Sequence, residues 1–170
     1  KKIVVTAAGQ GIGKATAMAF AKAGAKVAIN FVRDNQSASK TISRLPRAEE
    51  HIAIKADISM PASAEQLVQQ VVKEFGRIDV LVNNAGVYIE HPVDESTYEQ
   101  WQNAWHKTMS INLFGASNLS FCTAQQMIRQ GSGRIVNVSS RGAFRGEPNH
   151  PAYGASKAAL NQMSQSMAQA

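Results

Sequence analysis

The stretch AYGASKAAL at positions 152–160 sets Tyr153 four residues before Lys157, among small side chains that need neither for packing. On a helix that spacing puts both groups on one face, about 6 Å apart along the axis. A free tyrosine titrates near 10 and is a poor base at neutral pH. Bringing it down by about 3 units takes roughly 4 kcal/mol of preferential stabilisation of the phenolate. An ammonium held close by in a partly desolvated cleft supplies energy of that order by Coulomb attraction. One reading of the pair is a proton donor and acceptor with a built-in cation. The plainer alternative is a tyrosine packed at a helix start and a solvated lysine. A second hydroxyl, Ser140, ends the apolar run GRIVNVSS shortly before.

Alternating elements must position these groups. KIVVT (2–6) is a β-branched run and reads as a buried strand. Residues 11–25 carry Ile12, Ala15, Ala19, Phe20 and Ala23 at helical spacing, and Gly24 stops the helix. KVAINF (26–31) is a second strand, 36–45 a helix, and HIAIKAD (51–57) a third strand. Pro61 opens a helix with Leu67, Val68, Val71, Val72 and Phe75 on one face. IDVLVNNAG (78–86) is a fourth strand, 96–130 a helical region in two pieces, and 133–140 a fifth strand. The last helix starts at about 151. The strands are continuous apolar runs, so both sheet faces are expected to be covered. That predicts one domain with a Rossmann-type, doubly wound parallel sheet in a three-layer α/β/α arrangement.

Between the first strand and the first helix lies TAAGQGIG (6–13). Gly9, Gly11 and Gly13 permit a tight turn and close backbone approach. The helix start beyond them offers free N–H groups and a positive dipole end to a diphosphate. Here the chain resembles the short-chain dehydrogenase/reductase family, whose first turn runs Thr-Gly-x-x-x-Gly-x-Gly. Thr6, Gly11, Ile12 and Gly13 match; Ala7 stands where the first glycine is expected and puts a methyl near the diphosphate. ADI (56–58), NNAG (83–86), INLFG (111–115), IVNVSS (135–140) and Tyr153-x-x-x-Lys157 follow in the family's order, so the resemblance spans essentially the whole chain, which is similar both to 3-oxoacyl-(acyl-carrier-protein) reductases and to sugar dehydrogenases.

The resemblance implies an oxidoreductase that moves a hydride between a nicotinamide cofactor and a carbonyl or secondary alcohol. Tyr153 would be the general acid/base. Lys157 would lower its pKa, helped by the oxidised nicotinamide, and bind the ribose hydroxyls. Ser140 would hold the substrate oxygen, with Ser139 turned away, and Asn112 would kink its helix and hold a relay water to Lys157. The cofactor would lie along Thr6, Gly9, Gly11, Ile12 and Gly13, with Asp57 and Ile58 at the adenine. Asn83 would tie neighbouring strands, and Ala85 and Gly86 would let the cofactor pass. At the end of the second strand, Asn30 or Phe31 stands where an NAD enzyme carries an acid, and Arg33 follows; this favours NADP(H). Asp34, and Gln10 in place of a basic residue, leave NAD(H) open. A regulator that merely senses a dinucleotide on the same fold is the competing reading, and it has no need of the Tyr–Lys pair.

Arg141 and Arg145 follow Ser140 and suit an acidic substrate, such as an acyl group on a carrier protein, unless they are solvated loop residues. The net charge of +6 is scattered without interleaved aromatics, which argues against nucleic acid. The apolar runs are too short for a membrane span. Cys122, the one cysteine, fits a reducing compartment, the cytoplasm, and reads as a small buried hydrophobe. His51, His91, His106 and His150 lack metal-ligand spacing, and His150 reads as a loop residue. Trp101 and Trp105 read as core or subunit-interface residues. Helices 96–130 and 151 onward carry exposed-looking apolar positions, and in the family it resembles the corresponding helices pair between subunits, so a homodimer or homotetramer is expected. The sequence opens on KKIVVT and stops at SQSMAQA, inside a strand and a helix, so it is expected to be part of a longer polypeptide whose C-terminal strands are absent.

Overall fold

The computed structural model describes residues 1–170. Five strands, β1 (Lys2–Val5), β2 (Lys26–Phe31), β3 (Ile52–Lys55), β4 (Val80–Asn83) and β5 (Arg134–Asn137), form one parallel sheet in the order β3-β2-β1-β4-β5. The helices are α1 (Gly11–Lys22), α2 (Asn35–Ile42), α3 (Pro61–Phe75), α4 (Tyr98–Met109), α5 (Ala116–Arg129) and α6 (Pro151–Gln169). No helix is long and apolar enough to cross a membrane.

Side-chain alternation along the strands builds two cores. Ile3, Val5, Val27, Ile29, Val80 and Val82 face Ala17 and Ala21 of α1 and Ala38 of α2. Val4, Ala28 and Leu81 face the other way, onto Leu67 and Val71 of α3 and Leu119 and Met127 of α5. A strand buried on both sides has no polar face to show, hence the unbroken apolar runs. Each large aliphatic side chain so buried contributes about 1.5–3 kcal/mol. Cys122 is partly buried against the second core, and that burial pushes its thiol up.

β1 lies between β2 and β4, so the chain leaves it in opposite senses on its two sides. A crevice opens beyond its C-terminal end at such a point, where TAAGQGIG and NNAG both emerge.

Several elements are shorter than the apolar runs suggest. β3 excludes His51, whose Nδ1 accepts the Val27 N–H at 3.0 Å from beside the sheet. β4 stops at Asn83 because the next residues turn toward β1. β5 ends at Asn137, and residues 138–140 run on as irregular chain. α2 starts one residue earlier than expected because Asp34 caps it, accepting the Ser37 N–H at 2.8 Å. The 96–130 region is two α-helices joined by a π-helical segment, Ser110–Gly115.

Ala7 has φ +49°, in the left-handed region where an L side chain is strained. The alanine thus occupies a backbone shape made for glycine. Ala7→Gly is expected to stabilise the fold by about 1 kcal/mol. Denaturant unfolding checks it: an unchanged or lower midpoint would contradict the assigned strain.

Candidate active site

Lys157 is only 4% exposed, and no carboxylate pairs with it. Its Nζ donates to the Val138 carbonyl at 2.7 Å and lies 5.8 Å from the centre of the Tyr153 ring. Burial holds its pKa below the ordinary lysine value. The bond to Val138 ties α6 to the chain just before Ser140. Ser140 caps a short 3-10 turn, Arg141–Ala143, its Oγ accepting the Gly142 N–H at 3.2 Å. That turn lies against the start of α6: a Cβ on Gly154 would sit 3.0 Å from the Gly142 carbonyl. Glycine beside Tyr153 accommodates that close approach, which brings the serine turn to the tyrosine helix. Ser139 Oγ is buried and has no hydrogen-bond partner.

Asn112 lies in the π-helical segment, a wide turn that recurs at functional sites. It is 1% exposed, and its amide grips one residue from both sides. Oδ1 accepts the Val87 N–H at 2.8 Å, and Nδ2 donates to the Val87 carbonyl at 3.0 Å and to Ser156 Oγ at 3.1 Å. Ser156 Oγ donates to the Tyr153 carbonyl at 2.7 Å. The helix is thus widened at Asn112, and the protein contacts of Asn112 hold the chain beyond β4 against α6. A Cβ on Gly86 would lie 3.4 Å from Asn112 Oδ1 and 3.6 Å from Lys157 Nζ. The missing side chain leaves a gap that both polar groups face.

The glycine turn closes the other end of the crevice. No hydrogen bond within the chain uses the N–H groups of Gly11, Ile12 or Gly13; the first helical bond is Lys14 N–H to the Gln10 carbonyl. Gly13 needs its hydrogen: a Cβ there would come within 2.6 Å of both the Ala7 carbonyl and Asn84 Nδ2. Gly9 has ordinary space beside Ser37, and its carbonyl accepts from Thr41 at 3.1 Å. Free amides at a helix start and a glycine-floored gap beside Lys157 fit a dinucleotide diphosphate at one end and its reactive ring at the other.

Three expected cofactor residues have side chains buried in contacts within the fold. Thr6 is fully buried, and its Oγ1 accepts the N–H groups of Asn84 at 2.9 Å and Ala85 at 2.8 Å. It joins the two motifs. Asn83 Nδ2 donates to Asn137 Oδ1 at 2.8 Å and Ser120 Oγ at 2.9 Å, tying β4 to β5 and α5. The Ile58 side chain is in the second core and packs against Gly115. Ala85 is half-buried beside Gly86. Asp57 is exposed, and its Oδ1 accepts from the Ser59 N–H at 3.0 Å and hydroxyl at 2.7 Å.

The whole chain, residues 1–170, matches the family model described as short chain dehydrogenase. The chain belongs to the short-chain dehydrogenase family. It is 39% identical to an uncharacterised oxidoreductase of Thermotoga maritima, over 99% of this chain and 64% of that protein. It is 34% identical to a 3-oxoacyl-[acyl-carrier-protein] reductase of Synechocystis, over 92% of this chain and 62% of that one. Among solved structures, an NAD+-bound xylitol dehydrogenase superposes with a TM-score of 0.91 at 32% identity, over 99% of this chain and 64% of that one. The chain spans less than two thirds of the length of these relatives.

Particulars of this short-chain dehydrogenase family member that the sequence did not disclose surround Tyr153. The Tyr88 ring stacks on His150 at 3.6 Å and meets the Tyr153 ring edge-on at 4.7 Å. Its hydroxyl donates to Glu147 at 3.3 Å. Loss of solvent around the ring and the Glu147 carboxylate push the Tyr88 hydroxyl up. Glu147 also pairs with Arg141 at 3.7 Å, so Arg141 is not a free loop cation, whereas Arg145 has no ion-pair partner. His150 is a loop residue, as expected, immediately before α6, and it carries this stack. Trp101 and Trp105 are half-buried neighbours with ring centres 5.9 Å apart.

At the end of β2, Asn30 turns inward, and its Nδ2 donates to the Ala56 carbonyl at 2.8 Å, stapling β2 to β3. Phe31 is core. Asp34 is engaged by the Ser37 hydroxyl and N–H, which hold its carboxyl below the usual range. Arg33 is exposed and forms no ion pair.

Proposed function

We propose that this protein is an NADP(H)-dependent oxidoreductase that interconverts a ketone and a secondary alcohol. The observation that carries this reading is the Lys157 ammonium, buried without a carboxylate beside the Tyr153 ring. A buried cation with no counter-ion is costly for a fold and is kept where a site needs it.

When bound, the nicotinamide supplies or accepts the hydride. The chain's own groups handle the oxygen. In the reducing direction, Ser140 Oγ donates a hydrogen bond to the carbonyl oxygen and stabilises the charge that grows there. Tyr153 Oη delivers the proton that completes the alcohol, and it takes that proton back in the oxidising direction. Lys157 favours the phenolate left behind and binds the cofactor's ribose. Asn112 Oδ1 shares the Gly86 gap with Lys157 and suits a relay water there. The free N–H groups of Gly11, Ile12 and Gly13 hold the diphosphate, with Gly9 shaping the turn. Asp57, with the backbone of Ile58, would hold the adenine. Thr6, Asn83, Ala85 and Gly86 shape the crevice wall.

Following the reduced-nicotinamide absorbance against a panel of ketones and secondary alcohols tests the reading. Substrate-dependent change is expected; tight cofactor binding with no turnover on any panel member would make the protein a dinucleotide binder.

The preference for NADP(H) rests on the end of β2. The nearest acid, Asp34, is occupied as a helix cap, and Arg33 is free to meet a 2′-phosphate. NADPH is expected to bind more tightly than NADH, and Arg33→Ala to narrow the gap by about tenfold. Fluorescence titration with both cofactors checks this, and equal affinities in the parent would contradict it.

The substrate enters beside the 141–147 loop, where Arg145 suits an acidic or carrier-linked group; the names of the relatives span an acyl-carrier reductase and a xylitol dehydrogenase. The protein assembles as a dimer or tetramer. Phe114, Phe121 and Ile128, exposed by 54%, 64% and 72%, supply apolar surface for it. Light scattering is expected to give at least twice the chain mass, and a stable monomer would refute the assembly.

A further inference from the structure

His91 is 1% exposed and serves none of the roles described above. Its ring is fixed on three sides. Nδ1 lies 2.8 Å from the Ile89 carbonyl, which can only accept, so Nδ1 carries the proton. Nε2 lies 3.2 Å from the Ala152 N–H, which can only donate, so Nε2 is the bare nitrogen. Trp101 of α4 packs edge-on against the ring at 5.3 Å.

Ala152 is the residue before Tyr153, in the first turn of α6. That turn is poor in caps. Pro151 has no N–H, and the His150 side chain makes no cap bond. Tyr153 and Gly154 both direct their N–H groups at the His150 carbonyl, at 3.0 and 3.4 Å. The Ala152 N–H is left, and His91 is the group that receives it.

The contact belongs to a longer seam. The His91 N–H donates to the Asn149 carbonyl at 2.8 Å, and Asn149 Nδ2 donates to Glu90 at 3.0 Å. Tyr88 adds its stack on His150 and its bond to Glu147. Residues 88–91, just beyond Gly86, are thereby joined to residues 147–152, just before Tyr153.

We infer that His91 is a positioning residue for the reaction: as the neutral Nδ1–H tautomer it caps α6 from outside the helix and sets the first turn that aims Tyr153. The inference rests on the reading of Tyr153 as the acid/base. A hydroxyl misplaced by about 1 Å costs up to roughly a hundredfold in rate, while the diphosphate cradle at the start of α1 lies on another element and is untouched.

Three variants and one spectrum test it. Gln places a carbonyl oxygen near the position of Nε2 and can accept the Ala152 N–H; Asn reaches only the position of Nδ1; Leu reaches neither. His91→Leu and His91→Asn are expected to lower kcat by about tenfold to a hundredfold with NADPH affinity changed less than about twofold, and His91→Gln to recover to within about threefold of the parent. Equal loss in Gln and Asn, or no loss in Leu, would overturn the inference. If Leu fails to fold, the difference between Gln and Asn still decides for or against the cap. Long-range ¹H–¹⁵N NMR on the parent protein, without any variant, is expected to find the proton on Nδ1; a proton on Nε2 would overturn the inference. That result is independent of turnover, so it separates failure here from failure of the acid/base reading, which an active Tyr153→Phe would refute by itself.

Discussion

Tyr153→Phe is expected to lower kcat by at least about a hundredfold and to leave NADPH affinity within about twofold of the parent. The substitution removes one oxygen and keeps the ring. The edge-on contact with Tyr88 at 4.7 Å survives, as does the position of Lys157 behind the ring. Loss of turnover would therefore report the missing proton donor rather than a collapsed site. Initial rates at saturating substrate and a fluorescence titration on the same preparation measure both quantities. Near-normal turnover in Tyr153→Phe would remove the tyrosine from the chemistry.

Lys157→Met is expected to move activity and stability in opposite directions. Turnover should fall by about a hundredfold or more, because nothing then favours the phenolate. Stability should rise by about 1 kcal/mol at neutral pH, because a desolvated cation without a carboxylate is replaced by an apolar chain of similar length. The hydrogen bond to Val138 is lost, but it offsets the ammonium's desolvation only in part. The pH dependence carries the sign. Burial depresses the folded-state pKa of Lys157, so the unfolded chain holds that proton more tightly. The cost is full below the depressed value and is relieved as pH rises from there toward the ordinary lysine value of 10.5. The parent should gain stability through that window, and Lys157→Met should lack the gain. A Met variant less stable than the parent at neutral pH would show that Lys157 is structural.

The residues proposed for the chemistry stood out in the sequence because their spacing is local. Tyr153 and Lys157 need only one helix to share a face, and Gly13 needs only a tight turn to exclude a Cβ. The parallel, helix-covered sheet followed from apolar runs alternating with helices. The ends of the strands did not, since an apolar run does not mark where the ladder stops: β4 ends at Asn83 because Thr6 captures the next two amides. What stayed hidden depends on partners far along the chain. His91 and Ala152 are 61 residues apart, and Tyr88 and Glu147 are 59 apart. The Arg141 charge reads as available in the sequence, but Glu147 lies beside it in the fold. Thr6 matched a cofactor motif by position, yet its hydroxyl is buried in holding NNAG. Asn112 was expected to kink its helix, but its grip on Val87 needed the fold to become visible.

The most direct test of the proposed chemistry is a crystal structure of the protein with oxidised cofactor and an unreactive analogue of an accepted alcohol. The analogue's oxygen is expected within about 3 Å of both Tyr153 Oη and Ser140 Oγ, with the nicotinamide in the gap at Gly86. An oxygen bound out of reach of Tyr153, with the cofactor in place, would contradict it.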